Sequence, residues 1–172
     1  MLFKSLSDSR LNYMYRSMVY AGKPRQLPSP YYVCGTDNFI KTLVNGLDQA
    51  VCLQGRNISM DHLYTSVTIA QWLLSKDITC IGTIMSNHIG IPAELKQTTG
   101  REEFSSLMFW EKKKGDLVLS FYVISTSKGM KNILMLSTVQ PLKGVTKDDG
   151  KKKPAIYKLC NLQRVAPMSL IR

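Results

Sequence analysis

Apolar and polar positions along the chain follow two regimes, one on either side of Met85. In the first, strand-like runs alternate with helical spacing. Phe3 alternates with Ser5 over Leu2 to Ser7, which predicts a strand with Asp8 right after it. Leu11 to Tyr20, rich in Tyr and Met, predicts a second strand, with Ser9-Arg10 as the turn of a hairpin. Ala21 to Pro30 holds Gly22, Pro24, Pro28 and Pro30 and reads as a loop. Phe39, Ile40, Leu43, Val44, Leu47 and Val51 then recur at helical spacing. Thr36 is placed to cap that helix, Asp37 suits its positive end, Gly46 weakens it and Gly55 stops it. Asn57 to Met60 reads as a short strand closed by Asp61. Val67, Ala70, Leu73 and Leu74 share one face of a second helix, with Thr65 or Ser66 as its cap. Ile78 to Met85 is an apolar, β-branched run that reads as a buried strand. Strand, helix, strand in that order predicts a parallel βαβ unit.

Past Met85 the helical spacing fades. Ile89 to Arg101 reads as a loop with a short helical turn at Ala93 to Lys96. Phe104 to Trp110, Leu117 to Thr126 and Asn132 to Thr138 are strand-like, and polar turns at Glu111 to Asp116 and Ser127 to Lys131 separate them. Together they predict an antiparallel meander. Lys143 to Lys153 reads as a charged flexible loop and Ala155 to Cys160 as a last strand. Asn161 to Arg172 shows no pattern. The units expected from this reading are 1–88 as a core, 89–154 as a β-rich insertion, and 155–172 as a final strand and divergent tail.

Composition narrows the class. The 44% hydrophobic and 20% charged fractions fit a globular protein rather than a disordered one. No apolar run reaches the length of a membrane span, and the Met1-Leu2-Phe3-Lys4-Ser5 start lacks the apolar stretch of a secretory signal, so an intracellular protein is expected. The four cysteines, Cys34, Cys52, Cys80 and Cys160, are far apart and form no CxxC pair, and His62 and His88 add no clustering. Reduced, mostly buried thiols follow, not a zinc site. A net charge of +11 favours an anionic partner, with nucleic acid the commonest. Lys112-Lys113-Lys114 and Lys151-Lys152-Lys153 fall in expected turns, as phosphate contacts or as solvated charge.

Carboxylates are scarce, 12 against 23 lysines and arginines. Asp8 and Asp61 stand at strand ends, where open α/β sheets gather functional groups. Carboxylates on neighbouring strand ends suit a pair of divalent ions in phosphoryl transfer. The plainer reading makes Asp8 a turn residue and Asp61 a helix cap. Asp148-Asp149, Glu102-Glu103 and Asp116 read as surface or turn charges. There is no GxSxG, no histidine with an evident orienting acid and no glycine-rich phosphate loop, so neither a hydrolase triad nor a small-molecule nucleotide site is indicated.

Three stretches decide between those readings. Leu2-Phe3-Lys4-Ser5-Leu6-Ser7-Asp8-Ser9-Arg10, with Tyr13-Met14-Tyr15 and Tyr20-Ala21-Gly22-Lys23-Pro24 after it, resembles the first catalytic strand and hairpin of the piggyBac transposase family. Arg56-Asn57-Ile58-Ser59-Met60-Asp61-His62-Leu63-Tyr64-Thr65-Ser66 is similar to that family's second-aspartate pattern, D-N-(F/W)-(F/Y)-T-S. Ile81-Gly82-Thr83-Ile84-Met85-Ser86-Asn87 is similar to its V-G-T-x-R-x-N, with Ile91-Pro92 following.

The resemblance, running in order from about Leu2 to Lys158, implies an α/β fold. Its RNase H-like core, a hairpin plus a βαβ unit, carries a β-rich insertion and is expected to be truncated before the last catalytic helix. It implies Asp8 and Asp61 as ligands of Mg²⁺ or Mn²⁺ in DNA transposition, a DNA partner and a nuclear location. It also marks departures. Met168 falls about where a third aspartate belongs, the paired glycines before it are replaced by Asn161-Leu162-Gln163-Arg164-Val165, His62 stands for an asparagine and Met85 for an arginine. An inactive transposase-derived fragment with residual non-specific DNA binding is therefore expected. The alternatives are an active core completed by a partner chain, a protein-interaction module, or a transposon remnant without function.

Overall fold

The computed structural model describes residues 2–9, 11, 13–20, 35–111, 116–127, 129–139, 145–148, 151–162 and 168–171. Its centre is an eight-stranded sheet. Strands β1 (Leu2–Asp8) and β2 (Met14–Tyr20) form the expected antiparallel hairpin. Helix α1 (Thr36–Asp48) follows, then β3 (Asn57–Met60), α2 (Val67–Leu74) and β4 (Thr79–Thr83). β3 and β4 are parallel, Ile58 level with Cys80 and Met60 with Gly82, which makes the βαβ unit real.

β5 (Ser106–Trp110), β6 (Val118–Thr126) and β7 (Gly129–Ser137) are the antiparallel meander. They form no sheet of their own, because β7 pairs with β4 and extends the core sheet outward. The strands β8 (Val145–Asp148) and β9 (Lys151–Pro154), helix α3 (Ala155–Leu162) and β10 (Met168–Ile171) complete the chain. The order across the sheet is β2-β1-β10-β3-β4-β7-β6-β5.

Side chains that alternate across the sheet build one core on each face. On the first face Leu6, Ile58, Met60, Cys80, Phe121, Leu134 and Leu136 meet Phe39, Ile40, Leu43, Val44 and Leu47 of α1 and Ile69, Ala70 and Leu73 of α2. Fully buried side chains such as Leu43 and Ile58 each stabilise the fold by about 2 kcal/mol relative to exposure. On the second face Ile81 and Met135 meet Ile156 and Cys160 of α3. The molecule is therefore a three-layer α/β/α sandwich whose middle strands are buried on both sides, as their near-continuous apolar sequence requires.

Capping differs from expectation at α1. Gly35, at φ 81°, precedes the first turn without a side-chain cap, and Thr36 is already helical. Ser66 caps α2 by accepting from Ile69 N–H at 3.0 Å, and its hydroxyl also reaches Asp37 at 3.3 Å, tying the two helices together. The face buried by α2 is Ile69, Ala70 and Leu73; Val67 and Leu74 are half-buried. Gly46 lies where the Arg16 guanidinium of β2 crosses α1, which accounts for a helix-weakening residue there.

Three expectations fail in the last third. Ala155 to Cys160 is not a strand but the first part of α3. Its apolar run is too short for periodicity to separate strand from helix, and Ile156 and Cys160, four apart, share the buried face. Lys143 to Lys153 is not all loop. β8 and β9 pair with Asp148 opposite Lys151, so the two intervening residues are Asp149-Gly150, a strong hairpin dipeptide. The patternless tail supplies β10, inserted between β1 and β3. The expected loop over Ala21 to Pro30 lies outside the described residues.

The thiols behave as a reduced protein would have them. Cys80 is fully buried, Cys160 buried and Cys52 exposed, while Cys34 lies outside the described residues. Burial pushes the Cys80 thiol up to about 12, against a smaller opposing contribution from the Thr138 hydroxyl. Alkylation of the native protein should therefore modify Cys52 and leave Cys80 unmodified until the chain unfolds. Peptide mass spectrometry reads this directly, and equal labelling of both in native buffer would contradict it.

Candidate functional site

Asp8 closes β1 and is almost fully buried. Its Oδ1 accepts from Leu11 N–H at 2.9 Å and its Oδ2 from the Tyr15 hydroxyl at 2.9 Å, while its own N–H donates to Tyr13 carbonyl at 2.7 Å. The carboxylate thus organises the turn from β1 into β2, the role a turn aspartate plays. Asp61 follows β3. Its backbone carbonyl accepts from Tyr64 and Thr65 N–H in a tight turn, and its Oδ1 meets both His62 N–H and His62 Nδ1 at 2.7 Å. It does not cap α2, since Ser66 does.

Register fixes the relation between the two aspartates. β10 runs parallel to β1, with Ser7 level with Ser169, and antiparallel to β3, with Met168 level with Met60. Asp8 is therefore level with Leu170 and Ile58, whereas Asp61 lies three residues further along. Two strand spacings put them about 10 Å apart sideways, and three residues add about 10 Å lengthwise. β1 and β3 are antiparallel through β10, so the aspartates sit toward opposite ends of the sheet. The expectation of neighbouring strand ends is not met, and the two carboxylates are not brought together.

A divalent ion pair needs convergent oxygen ligands. Among the described residues no group of three histidine, cysteine or acidic side chains converges on one point. Asp8 and Asp61, each engaged by local donors and separated as above, do not fit a shared ion.

What gathers at the carboxyl ends of β3 and β4 is a cleft of about 660 Å³. His62 stands at one wall, Thr83 to Asn87 form the floor, and Lys131 to Leu134 of β7 form the opposite wall. The cleft exists because the 61–65 turn lies flat on β4. Thr65, buried and donating to Asp61 carbonyl at 3.0 Å, rests directly over Gly82, where a Cβ would collide with Thr65 Oγ1 and with Met60 carbonyl. Nearby, Lys4 Nζ lies 4.7 Å from the Phe39 ring centroid and 5.4 Å from that of Tyr64. Burial and, secondarily, Asp61 push the Tyr64 hydroxyl up, so it is protonated at neutral pH.

Ser86, Asn87 and Lys131 give the cleft donors without a carboxylate among its lining residues. Such a surface suits phosphate oxygens. Lys131 and Asn132 were not singled out by sequence reasoning, because each sits in a strand that reads as packing. The flagged lysines fare differently. Lys112, Lys113 and Lys114 lie outside the described residues. Lys151, Lys152 and Lys153 belong to β9 rather than to a loop, and Lys153 is half-buried.

A family profile described as Transposase IS4 matches residues 3–162. The fold matches a piggyBac transposase in the cryo-EM structure of its synaptic complex with hairpin DNA, at a TM-score of 0.67 and 26% identity. That match covers 88% of this chain. The chain belongs to the piggyBac transposase family. It spans 29% of the length of that transposase chain. Comparison with curated proteins finds no match. The piggyBac-type core explains the order of elements: the α/β arrangement is the RNase H-like one, and all three motif stretches map onto it. The first ends on Asp8, the second holds the 57–66 strand and turn, and the third supplies the cleft floor from Thr83 to Asn87. Among the described residues no helix is long and apolar enough to cross a membrane.

Proposed function

We propose that this chain is a piggyBac transposase-derived core segment that binds the DNA backbone without sequence preference and does not by itself cut or join strands. The observation that carries this reading is the register that separates Asp8 from Asp61 by an intervening strand. Positioning errors of about 1 Å can cost on the order of a hundredfold in rate, and this separation is far larger. Both aspartates then serve the fold: Asp8 holds a hairpin turn and Asp61 a strand-to-helix turn. Mg²⁺ or Mn²⁺, a nuclear location and a DNA partner belong to this reading through the family.

DNA contact falls to the basic surface, with Lys131, Asn87 and Ser86 of the cleft as its described part. Backbone binding of this kind is salt-dependent. About three phosphate contacts give a slope near −2.7 in log affinity against log salt, about a forty-fold loss between 50 and 200 mM. Lys131→Ala should make that slope shallower by about 0.9 and weaken all DNA sequences alike.

The test is incubation of the full chain with labelled transposon-end and unrelated duplexes in Mg²⁺ or Mn²⁺, read by gel shift and by sequencing gel. Salt-sensitive binding of both duplexes with no new ends is the expected result. Metal-dependent nicking at a defined position would overturn the inactive reading, and a shift unchanged at high salt would overturn the backbone-binding one.

A further inference from the structure

The eight-stranded sheet has an open edge at β5, which pairs only with β6 among the described residues. Alternate backbone N–H and C=O groups of an edge strand point away from the sheet and template a further strand. β5 is unusually apolar for such a position: Leu107, Phe109 and Trp110 are all exposed by more than two fifths. Phe109 is ordered despite its exposure, edge-on to the buried Phe121 ring at 5.8 Å between centroids.

The charges flanking this strand are antisymmetric. Glu102-Glu103 precede it, and Lys112-Lys113-Lys114 come after it with Glu111 between. A strand acidic at its start and basic at its end is complementary to its own antiparallel copy. We infer that β5 is a self-pairing edge, through which two copies of this chain join their sheets antiparallel about a two-fold axis at Met108.

Symmetry fixes the register. A two-fold axis perpendicular to the sheet keeps each side chain on its own face, so the axis must pass through a residue. With Met108 opposite itself, Leu107 lies opposite Phe109 and Ser106 opposite Trp110, which sets an aliphatic side chain against an aromatic one on the same face. This register directs the glutamate end of each strand toward the lysine end of the other. Centring on Leu107 instead would set position 103 against position 111, glutamate against glutamate.

The opposite edge, β2, carries Arg16 and no acidic residue between Met14 and Tyr20, so it has no such self-complement. A four- to five-residue edge contact belongs to the small, transient class of interfaces. The dimer is therefore concentration-dependent. It rests on the edge strand alone and is independent of the DNA-binding reading.

Sedimentation velocity of the full chain over a wide concentration range tests it. A reversible monomer–dimer equilibrium is expected. Leu107→Lys, which introduces facing charges twice per dimer, should weaken it about tenfold. Since Leu107 is exposed, that variant should keep the wild-type circular dichroism. Glu102→Lys should weaken association, and adding Lys114→Glu to the same chain should restore it. A monomer at every concentration would overturn the inference. So would a dimer indifferent to Leu107→Lys, a double variant no tighter than Glu102→Lys, or open-ended growth beyond the dimer, the mark of β2 pairing head-to-tail with β5.

Discussion

Replacing Gly82 by alanine should lower the unfolding free energy by about 2 to 3 kcal/mol, although glycine to alanine within a strand is ordinarily favourable. Two effects compete. Alanine restricts the unfolded chain and would stabilise by about 0.4–1 kcal/mol if the native site accepted a methyl group. The site does not accept it. The added Cβ would meet Thr65 Oγ1 and Met60 carbonyl. Thr65 could rotate, but only by giving up its hydrogen bond to Asp61 carbonyl. The Met60 carbonyl belongs to the neighbouring strand, and Met60 is Gly82's own pairing partner. It moves only if the β3–β4 ladder opens. Overpacking of this kind costs about 1–3 kcal/mol, and where backbone must move the upper end applies. The displaced element is the 61–65 turn that carries His62 to the cleft, so DNA affinity should fall with stability. Urea titration followed by circular dichroism checks the first and gel shift the second. An unchanged midpoint would mean that the turn does not rest on β4.

The same glycine shows how far the sequence could be read. The order of elements through β4 was legible because periodicity and punctuation agreed: helical spacing from Phe39 to Leu47, a β-branched run at Ile78 to Ile84, and glycine and proline between them. Legibility failed where one signal had to act alone. Ile156-Tyr157-Lys158-Leu159-Cys160 is apolar enough for either structure, and the tertiary partner, the Ile81–Met135 face of the sheet, decided for helix. The four-residue β10 had no local signal at all, since its pairing with both β1 and β3 is set by strands more than 100 residues earlier.

The site was legible as positions and not as an arrangement. Strand-end aspartates are visible in a sequence; which strands are neighbours is not. The insertion of β10 turns two expected neighbours into residues two strands apart, and no spacing between Asp8 and Asp61 announces that. Lys131 was equally hidden. It reads as a polar residue between two strands, while the structure makes it part of β7, facing the Thr83–Asn87 floor only because β7 pairs antiparallel with β4.

Asp8→Ala should then act as a folding mutation and not as the loss of a metal ligand, destabilising the chain by about 3 kcal/mol in the presence or absence of Mg²⁺. Asp8 is almost fully buried, and each of its oxygens accepts one hydrogen bond, from Leu11 N–H and from the Tyr15 hydroxyl. Hydrogen bonds to a charged group are worth about 1.5–3 kcal/mol each, and partial exposure of Tyr15 favours the lower end. Asp8→Asn keeps one acceptor oxygen and should lose about half as much. Tyr15→Phe should cost about 1 kcal/mol in the wild type and nearly nothing in the Asp8→Ala background, the signature of a shared interaction in a double-mutant cycle. A metal role predicts a different pattern. An ion held at a hundred times its dissociation constant would stabilise the native state by about 2.7 kcal/mol, and that increment would disappear in Asp8→Ala. Thermal unfolding of the wild type and the three variants, with and without millimolar Mg²⁺, separates the two. Equal midpoints with and without the ion support the turn role; a metal-dependent rise in the wild type that is absent from Asp8→Ala would show that Asp8 is a ligand after all.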